Sequence, residues 1–141
     1  MPILIIENLR NMLLENSNNE IEVLIVEDEL DICYLLSGIL SRQHVQTACA
    51  GSLFDAQKAL KKRHTDVLFI DNHLPDGYGV DFIPLVKRDY PDTKIIMMTA
   101  HDTGADKQKA LKHGADFFIG KPFTHAMIVS TLKQVLKNNH N

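Results

Sequence analysis

The sequence predicts an α/β fold, in which a doubly wound, five-stranded parallel sheet has the strand order 2-1-3-4-5 and helices on both faces. Two observations lead to this prediction. Short unbroken apolar runs, typical of strands buried on both faces of a parallel sheet, alternate along the chain with segments of helical period. These segments are long enough to form the right-handed crossovers that parallel strands need. A chain of 141 residues suffices for one domain with a substantial core.

The first part of the predicted domain contains two strand–helix units. Residues 23–26 form the first strand, and apolar residues spaced by three and four predict a helix over residues 30–42. Residues 45–48 form a weaker second strand. Ser52 has an Asp three residues after it, which predicts the start of a helix that ends near residue 63.

Three more strands and three more helices complete the predicted domain. The strands cover residues 67–70, 95–98 and 117–119, and the helices cover residues 81–89, 106–113 and 124–136. Pro84 is compatible only with the first turn of its helix, because proline lacks the backbone N–H that a later turn needs. Gly114 is the usual type of residue just after a helix end.

The two ends of the chain stand apart from this pattern. Residues 1–20 are predicted to be an amphipathic extension and linker, residues 21–137 the folded domain, and residues 138–141 a short polar tail. Helical spacing relates Ile5, Ile6, Leu9, Met12 and Leu13. Such a stripe packs on its own domain, on a second copy or on a partner, and the sequence leaves these alternatives open. The tail is too short for another domain, so the chain is either a complete single-domain protein or a domain from a longer one.

Composition and charge exclude several classes of protein. The formal net charge is −3, which argues against direct binding of nucleic acid, because that requires an excess of basic residues. One basic cluster fits a solvated helix face. It consists of Lys58, Lys61, Lys62 and Arg63. No apolar run has the length of a membrane span, and the amino terminus lacks the features of a signal peptide, so we expect a cytoplasmic protein without membrane contact.

The two cysteines are predicted to be free thiols, with a reactive or disulfide role as the alternative. Cys33 falls in the first predicted helix and Cys49 at the end of the second strand, and they do not form a CxxC motif. Free thiols are the usual state in a reducing cytosol.

Polar side chains follow four of the predicted strands. Glu27 and Asp28 follow the first strand, and Asp71, Thr99 and Lys121 end the third, fourth and fifth. Ligands of open α/β sheets bind outside the carboxyl ends of the strands. One crevice would therefore contain three carboxylates, a hydroxyl and an ammonium group, which predicts a site for a divalent metal and a phosphoryl group.

The three carboxylates fit Mg²⁺, which prefers oxygen ligands and retains several waters. Asp28 and Asp71 leave adjacent strands and can share the ion, while Glu27 reaches it through a water. Without metal, three like charges repel each other, so the pKa of at least one carboxyl should rise. Lys121 precedes Pro122, which keeps the lysine out of the helical conformation and allows a cis peptide bond.

These residues belong to a set of motifs that resembles a known family. The motifs are Val26-Glu27-Asp28, Asp71 with Leu74-Pro75-Asp76-Gly77, Met98-Thr99-Ala100 and Lys121-Pro122-Phe123. Each is weak alone, but together, in this order and at this spacing, they resemble the receiver domain of two-component response regulators. The resemblance extends over residues 21–136.

The resemblance implies a role for each polar residue. Asp71 would accept a phosphoryl group from a sensor histidine kinase or a phosphotransfer protein, and Thr99 and Lys121 would bind the phosphoryl oxygens. Mg²⁺ would be held by Glu27, Asp28, Asp71 and the backbone carbonyl of His73. Phosphoryl transfer depends mostly on positioning and charge neutralisation, which metal and lysine supply. The domain would act on no external substrate, so we do not expect an enzyme.

The resemblance also implies a switch. Thr99 would move toward the phosphoryl group and the ring of Phe118 would turn inward, which remodels the face of the fourth helix, fifth strand and fifth helix. A downstream effector, an output domain or a second copy in a homodimer would bind that face. His73 and His101 stand two residues after Asp71 and Thr99, where the family tunes the lifetime of its phosphoryl group. We therefore expect a lifetime that depends on pH between about 6 and 7.5.

Two other functions fit the sequence less well. A hydrolase of the haloacid-dehalogenase type also uses a strand-end Asp and Mg²⁺, but it needs a second Asp where this chain has His73. An interaction domain without phosphorylation would not need all five polar residues. The sequence contains neither a Walker A motif nor GxGxxG after the first strand, which argues against nucleotide binding.

Overall fold

The structure is a computed structural model that describes residues 5–9, 20–100 and 104–137. Its strands are β1 (Ile21–Val26), β2 (Val45–Ala50), β3 (Val67–Asp71), β4 (His73–Leu74), β5 (Gly77–Tyr78), β6 (Lys94–Thr99) and β7 (Phe117–Gly120). Its helices are α1 (Leu30–Ser41), α2 (Leu53–Lys62), α3 (Gly79–Asp89), α4 (Gly104–His113) and α5 (His125–Lys137).

Five strands form a parallel sheet in the order β2-β1-β3-β6-β7, which confirms the predicted fold. The predicted fourth and fifth strands are β6 and β7. Their register decides where the polar residues lie: Val26 pairs with Ile70, and Thr99 pairs with Gly120. Glu27 and Asp71 therefore leave β1 and β3 at the same level, and Lys121 follows directly beside Thr99.

Apolar side chains form two clusters, in keeping with a sheet covered on both faces. One cluster joins α1 and α5 to the sheet, with Phe69, Leu36 and Ile128 fully buried in it. The other joins α2, α3 and α4 to the sheet around Ile70 and Ile83. Alternate residues of each central strand enter opposite clusters, which is why these strands read as unbroken apolar runs.

Helix α3 begins earlier than predicted. It starts at Gly79, so Pro84 lies beyond the first turn and the prediction for Pro84 was wrong. A proline at this position leaves the carbonyl of Val80 without its helical donor. His113, at the end of α4, places its ring Nδ1 at 3.2 Å from the Val80 oxygen and supplies a donor when that nitrogen carries the proton. The contact explains how the helix tolerates Pro84, and it connects α3 to α4.

The prediction of free thiols was also wrong. Cys33 of α1 and Cys49 of β2 form a disulfide, with their Cα atoms 6.4 Å apart. The helix that follows β1 packs back beside β2, and this proximity brings together two cysteines separated by 16 residues.

Two further segments complete the described chain. The turn predicted after Asp71 contains an antiparallel hairpin of two short strands, β4 and β5. Residues 5–9 are helical, as the spacing predicts, and Ile5, Ile6 and Leu9 in this segment are about half exposed. Met12, Leu13 and the predicted tail over residues 138–141 lie outside the described residues. Among the described residues, no helix has both the length and the apolar character needed to cross a membrane.

Candidate functional site

Three carboxylates meet at the carboxyl ends of β1 and β3. Each of Glu27, Asp28 and Asp71 offers an oxygen atom, and these oxygens all lie within 4.8 Å of one another. Glu27 is only 2% exposed and Asp71 6%, whereas Asp28 is exposed. The backbone N–H of Glu27 donates to the carbonyl of Ala50 at 2.9 Å, which fixes the chain as it leaves β1. The predicted acidic cluster therefore forms, with one carboxylate open to solvent.

Lys121 provides the positive charge of the site. Its Nζ lies 3.0 Å from Oε2 of Glu27 and 3.4 Å from Oδ1 of Asp71. Its backbone N–H donates to the carbonyl of Thr99 at 2.8 Å, and the peptide bond to Pro122 is cis, as the sequence allows. The ammonium group is thus held between two buried carboxylates.

The charges of the site change each other's protonation. Burial raises the pKa of Glu27 above its ordinary value of 4.5, the hydrogen bond from Lys121 opposes this rise, and the charge of Asp71 adds to it. Burial alone would lower the pKa of Lys121, but the hydrogen bond to Glu27 and the charge of Asp71 raise it overall. The predicted rise of a carboxyl pKa is confirmed for Glu27, but burial is its largest cause, and the repulsion on which the prediction was based only adds to it.

Thr99 and Phe118 border the same cavity beside the acidic cluster. Thr99 is 1% exposed at the end of β6, and Phe118 is partly buried on the neighbouring strand β7. The cavity has a volume of about 380 Å³ and is also lined by Met97 and Tyr78. Phe118 and Thr99 therefore share one open space.

The two histidines predicted to tune the site differ in how far the structure describes them. The imidazole of His73 is exposed, lies at the rim of the cavity, and contacts the ring of Tyr78 edge-on with 5.6 Å between ring centres. His101 lies outside the described residues. The structure therefore places one of the two side chains at the edge of the site.

Sequence reasoning missed the residue that holds the loop after Asp71. The side-chain Oδ1 of Asn72 accepts the backbone N–H of Val80 at 3.0 Å, and its carbonyl accepts the N–H of Gly79 at 2.8 Å. Asn72 thus accepts the first two backbone N–H groups of α3, although it lies seven residues before the helix begins. A Cβ atom at Gly79 would collide with the backbone oxygen of Asp71, so only glycine allows the two backbones to approach this closely.

Asp76 anchors the other end of this loop. The sequence indicated Asp76 only as part of the motif Leu74-Pro75-Asp76-Gly77 and predicted no role for its side chain. Its two carboxylate oxygens accept the backbone N–H groups of Leu53 and Phe54 at 2.8 and 2.9 Å. These hydrogen bonds lower the pKa of Asp76 below its ordinary value. Ser52, the expected cap, accepts the next N–H of the same helix, from Asp55 at 3.1 Å. Helix α2 therefore begins on acceptor side chains from two different loops, of which only Ser52 had a local signal in the sequence.

The arrangement combines a set of ligands for a hard cation with a nucleophile and a charge that can neutralise an anion. Carboxylate oxygens are the ligands that Mg²⁺ prefers, and three of them converge here. The carboxylate of Asp71, beside the ammonium group of Lys121, could attack a phosphoryl group whose negative oxygens that charge and a bound metal would stabilise.

Known proteins are similar in sequence to this chain. PhoB of Klebsiella pneumoniae, a phosphate regulon transcriptional regulatory protein, is 32% identical over 117 residues, which are 82% of this chain and 51% of PhoB. The response regulator PilR of Pseudomonas aeruginosa is 36% identical over 101 residues, 72% of this chain and 23% of PilR. The chain thus spans about half the length of the first of these relatives and about a quarter of the second.

A solved structure resembles most of this chain. The beryllofluoride-activated receiver domain dimer of NtrC4 has a TM-score of 0.80 and 35% identity, with 84% of this chain and 98% of that chain covered. The sequence model of the response regulator receiver domain family matches residues 23–133. The chain belongs to the receiver domain family of two-component response regulators.

Proposed function

We propose that Asp71 is the residue through which this receiver domain is phosphorylated. The convergence of three carboxylates and one ammonium group at the ends of β1, β3 and β7 carries the proposal. An oxygen of Asp71 attacks the phosphorus of a phosphohistidine on a sensor histidine kinase or phosphotransfer protein. The P–N bond breaks, and the histidine nitrogen keeps the electron pair. The product, an aspartyl phosphate, is slowly hydrolysed in the same site.

The proposed ligands of Mg²⁺ are Glu27, Asp28, Asp71 and the backbone carbonyl of His73. When bound, the ion supplies positive charge that neutralises the phosphoryl oxygens and the carboxylates. Asp28 is the exposed carboxylate of the three, so a metal ion can reach its oxygen from solvent without any change in the core. Its removal should weaken the metal site with little effect on folding.

Lys121 and Thr99 are proposed to bind the phosphoryl oxygens. The ammonium group lies 3.4 Å from an oxygen of Asp71. It is therefore close enough to form an ion pair with a phosphoryl group attached to that carboxylate. The hydroxyl of Thr99 lies at the end of β6, the strand that pairs with β3. Both residues hold the phosphoryl group in place and do not themselves react.

Intact mass measured after incubation with Mg²⁺ and acetyl phosphate or phosphoramidate tests this function. We expect one phosphoryl group on the wild type, none on Asp71→Asn, and much less on Asp28→Asn. Asp92→Asn is the matched control. Asp92 is exposed just before β6, at the amino ends of the strands, whereas the acidic cluster lies at their carboxyl ends. A phosphoryl group on Asp71→Asn, or none on the wild type, would contradict the proposal.

The proposed output is a change of the face formed by α4, β7 and α5. In this switch Thr99 moves toward the phosphoryl group, and the ring of Phe118 turns into the cavity that both residues border. A downstream effector, an output domain or a second copy of this chain then binds the changed face. The activated NtrC4 receiver domain is a dimer, which makes the homodimer the first partner to test.

Beryllofluoride, which mimics the phosphoryl group without covalent attachment, separates these outcomes. We expect its addition with Mg²⁺ to alter hydrogen exchange in β7 and α4 in the wild type, and much less so in Thr99→Ala. Sedimentation of the same samples reports whether a dimer forms. Exchange that changes equally in Thr99→Ala would contradict the role of Thr99.

The assignment of His73 and His101 to the lifetime of the phosphoryl group stays a prediction. His73 at the cavity rim can screen the group from water or orient a water toward it. The expected lifetime differs between about pH 6 and about 7.5 in the wild type and is constant in the double alanine variant. Equal lifetimes of both proteins across this range would rule out the assignment.

Three broader assignments are proposals of the same kind. Residues 21–137 form the receiver, preceded by an extension over residues 1–20 and followed by a short tail. The domain acts as a phosphorylated signalling protein in the cytoplasm and not as an enzyme on an external substrate.

A further inference from the structure

The disulfide between Cys33 and Cys49 joins one buried and one accessible residue. Cys33 lies in the first half of α1 and is fully buried, whereas Cys49 is exposed on the edge strand β2. Their Cα separation of 6.4 Å falls within the range that disulfides adopt. The hydroxyl of Ser37 lies 3.7 Å from the sulfur of Cys49. A thiol from solution can therefore reach the bond only at Cys49.

We propose that Cys33 and Cys49 form a reversible thiol–disulfide site that controls the order of the acidic cluster. Its effect on phosphorylation rests on the proposed function of Asp71, whereas the redox chemistry itself does not. A low-molecular-weight thiol is the reductant, and the corresponding disulfide is the oxidant.

The exchange proceeds in two balanced steps. A thiolate from solution attacks the Cys49 sulfur, the bond to Cys33 breaks, and Cys33 leaves with the electron pair and takes up a proton. A second thiolate attacks the outer sulfur of the mixed disulfide and releases Cys49, which also takes up a proton. Two thiols are thereby oxidised to one disulfide, and two cysteines are reduced. The Ser37 hydroxyl can donate to the Cys49 thiolate and stabilise it as it forms.

The disulfide connects the two backbone segments that border the acidic cluster. The N–H of Cys33 donates to the carbonyl of Glu29 at 3.1 Å, so Cys33 is anchored to the residue just after Glu27 and Asp28. Ala50, which follows Cys49, accepts the N–H of Glu27 at 2.9 Å. Cys33 is therefore hydrogen-bonded to the segment over residues 27–29, and Cys49 is connected to it through the next residue, Ala50.

Reduction removes the covalent link between these two segments. Helix α1 and strand β2 then remain in place through packing, the pairing of β2 with β1, and the hydrogen bonds just described. We expect greater motion at the start of α1 and slower phosphorylation, by a factor on the order of three to ten, because ligands held less firmly lose part of their preorganisation.

Mass spectrometry after alkylation of free thiols tests the redox site. The protein is equilibrated without denaturant in glutathione buffers of varied ratio. We expect a reversible conversion between one disulfide and two thiols, with glutathione attached to Cys49 and not to Cys33 in the mixed intermediate. Two free cysteines in oxidised buffer, or a disulfide that only denatured protein releases, would overturn the proposal.

Hydrogen exchange and phosphorylation test the consequence. Reduced wild type and Cys49→Ser should both exchange faster than oxidised wild type over residues 27–33 and accept phosphoryl groups from acetyl phosphate more slowly. Ser130→Ala, an α5 variant away from the disulfide, should keep the difference between oxidised and reduced forms. Equal exchange in all redox states would overturn the proposed control. Failure of Asp71 to take a phosphoryl group in either state would instead contradict the proposed function, while exchange would still decide the redox proposal.

Discussion

Replacing Lys121 by Met removes the ammonium group from between two buried carboxylates and keeps most of the volume of the stem. In the wild type this group lies 3.0 Å from Glu27 and 3.4 Å from Asp71. Without it, two negative charges face each other in a site that is largely shielded from water. We expect a loss of stability at pH 7 that diminishes as the pH falls.

The size of the loss is limited by the ease with which Glu27 can take up a proton. At its ordinary pKa of 4.5, a carboxyl held neutral at pH 7 costs about 1.4 kcal/mol for each intervening pH unit, or about 3.4 kcal/mol. Burial raises the pKa of Glu27 and brings the cost closer to this limit, which is reached only if Glu27 is fully protonated in the folded state at pH 7. We expect a loss of about 2–3 kcal/mol, near the lower end of the range for a broken buried ion pair.

The pH dependence has a defined sign. In Lys121→Met the folded state binds a proton at Glu27 between pH 4.5 and its raised pKa, where the unfolded chain does not. Stability therefore rises as the pH falls through this interval, and the difference from the wild type becomes smaller.

Urea denaturation at pH 7, 6 and 5 measures this difference. Lys133→Met is the matched control, because Lys133 is exposed on α5, and its replacement should change the free energy of unfolding by less than about 0.5 kcal/mol. An equal loss at pH 5 and pH 7 would show that Lys121 stabilises the fold by packing and not by its charge. No loss at pH 7 would refute the electrostatic reasoning altogether.

Three further variants or treatments test other parts of the structure. Gly79→Ala should destabilise the protein by about 1–3 kcal/mol and reduce phosphorylation, because the new methyl group collides with the backbone at the acidic cluster, whereas Gly38→Ala, in open space on α1, should be neutral or stabilising in thermal denaturation. Asp76→Ala should be less stable than the wild type at neutral pH in urea titrations, and this difference should vanish as the pH falls below 3.8 through the lower pKa of the folded state, because the hydrogen bonds favour the ionised form. Reduction of the Cys33–Cys49 bond should lower the free energy of unfolding by about 3 kcal/mol, as expected for a closed loop with a sequence separation of 16, and an unchanged denaturation midpoint with dithiothreitol would contradict this.

The sequence predicted the sheet and the site for the same physical reason. In a parallel sheet, strands buried on both faces must be apolar until they end, so the first polar residue marks the edge where ligands bind. Glu27, Asp71, Thr99 and Lys121 each stand at such a point, and the register brings them to one edge. Local pattern and topology together therefore sufficed to place the cluster.

The predictions that failed depend on contacts between distant segments. Pro84 is incompatible with the second turn of a helix unless another donor reaches Val80, and His113 lies 33 positions further along the chain. Cys33 and Cys49 have no spacing that signals a pair, and only the packing of α1 beside β2 brings them together. Neither contact can be read from periodicity or propensity.

The two sides of Asp71 differ in how firmly they are held, and this difference should direct the response to the proposed phosphorylation of Asp71. On one side, the loop after Asp71 caps two helices through Asn72 and Asp76, and a change there would leave backbone donors of both helices without partners. On the other side, Thr99 and Phe118 border a cavity of about 380 Å³, which is open space beside both side chains. A charge added at Asp71 meets a fixed loop and an adjustable pair of side chains. Structural change should therefore travel through β6 and β7 toward α4 and α5, while α2 and α3 stay in place.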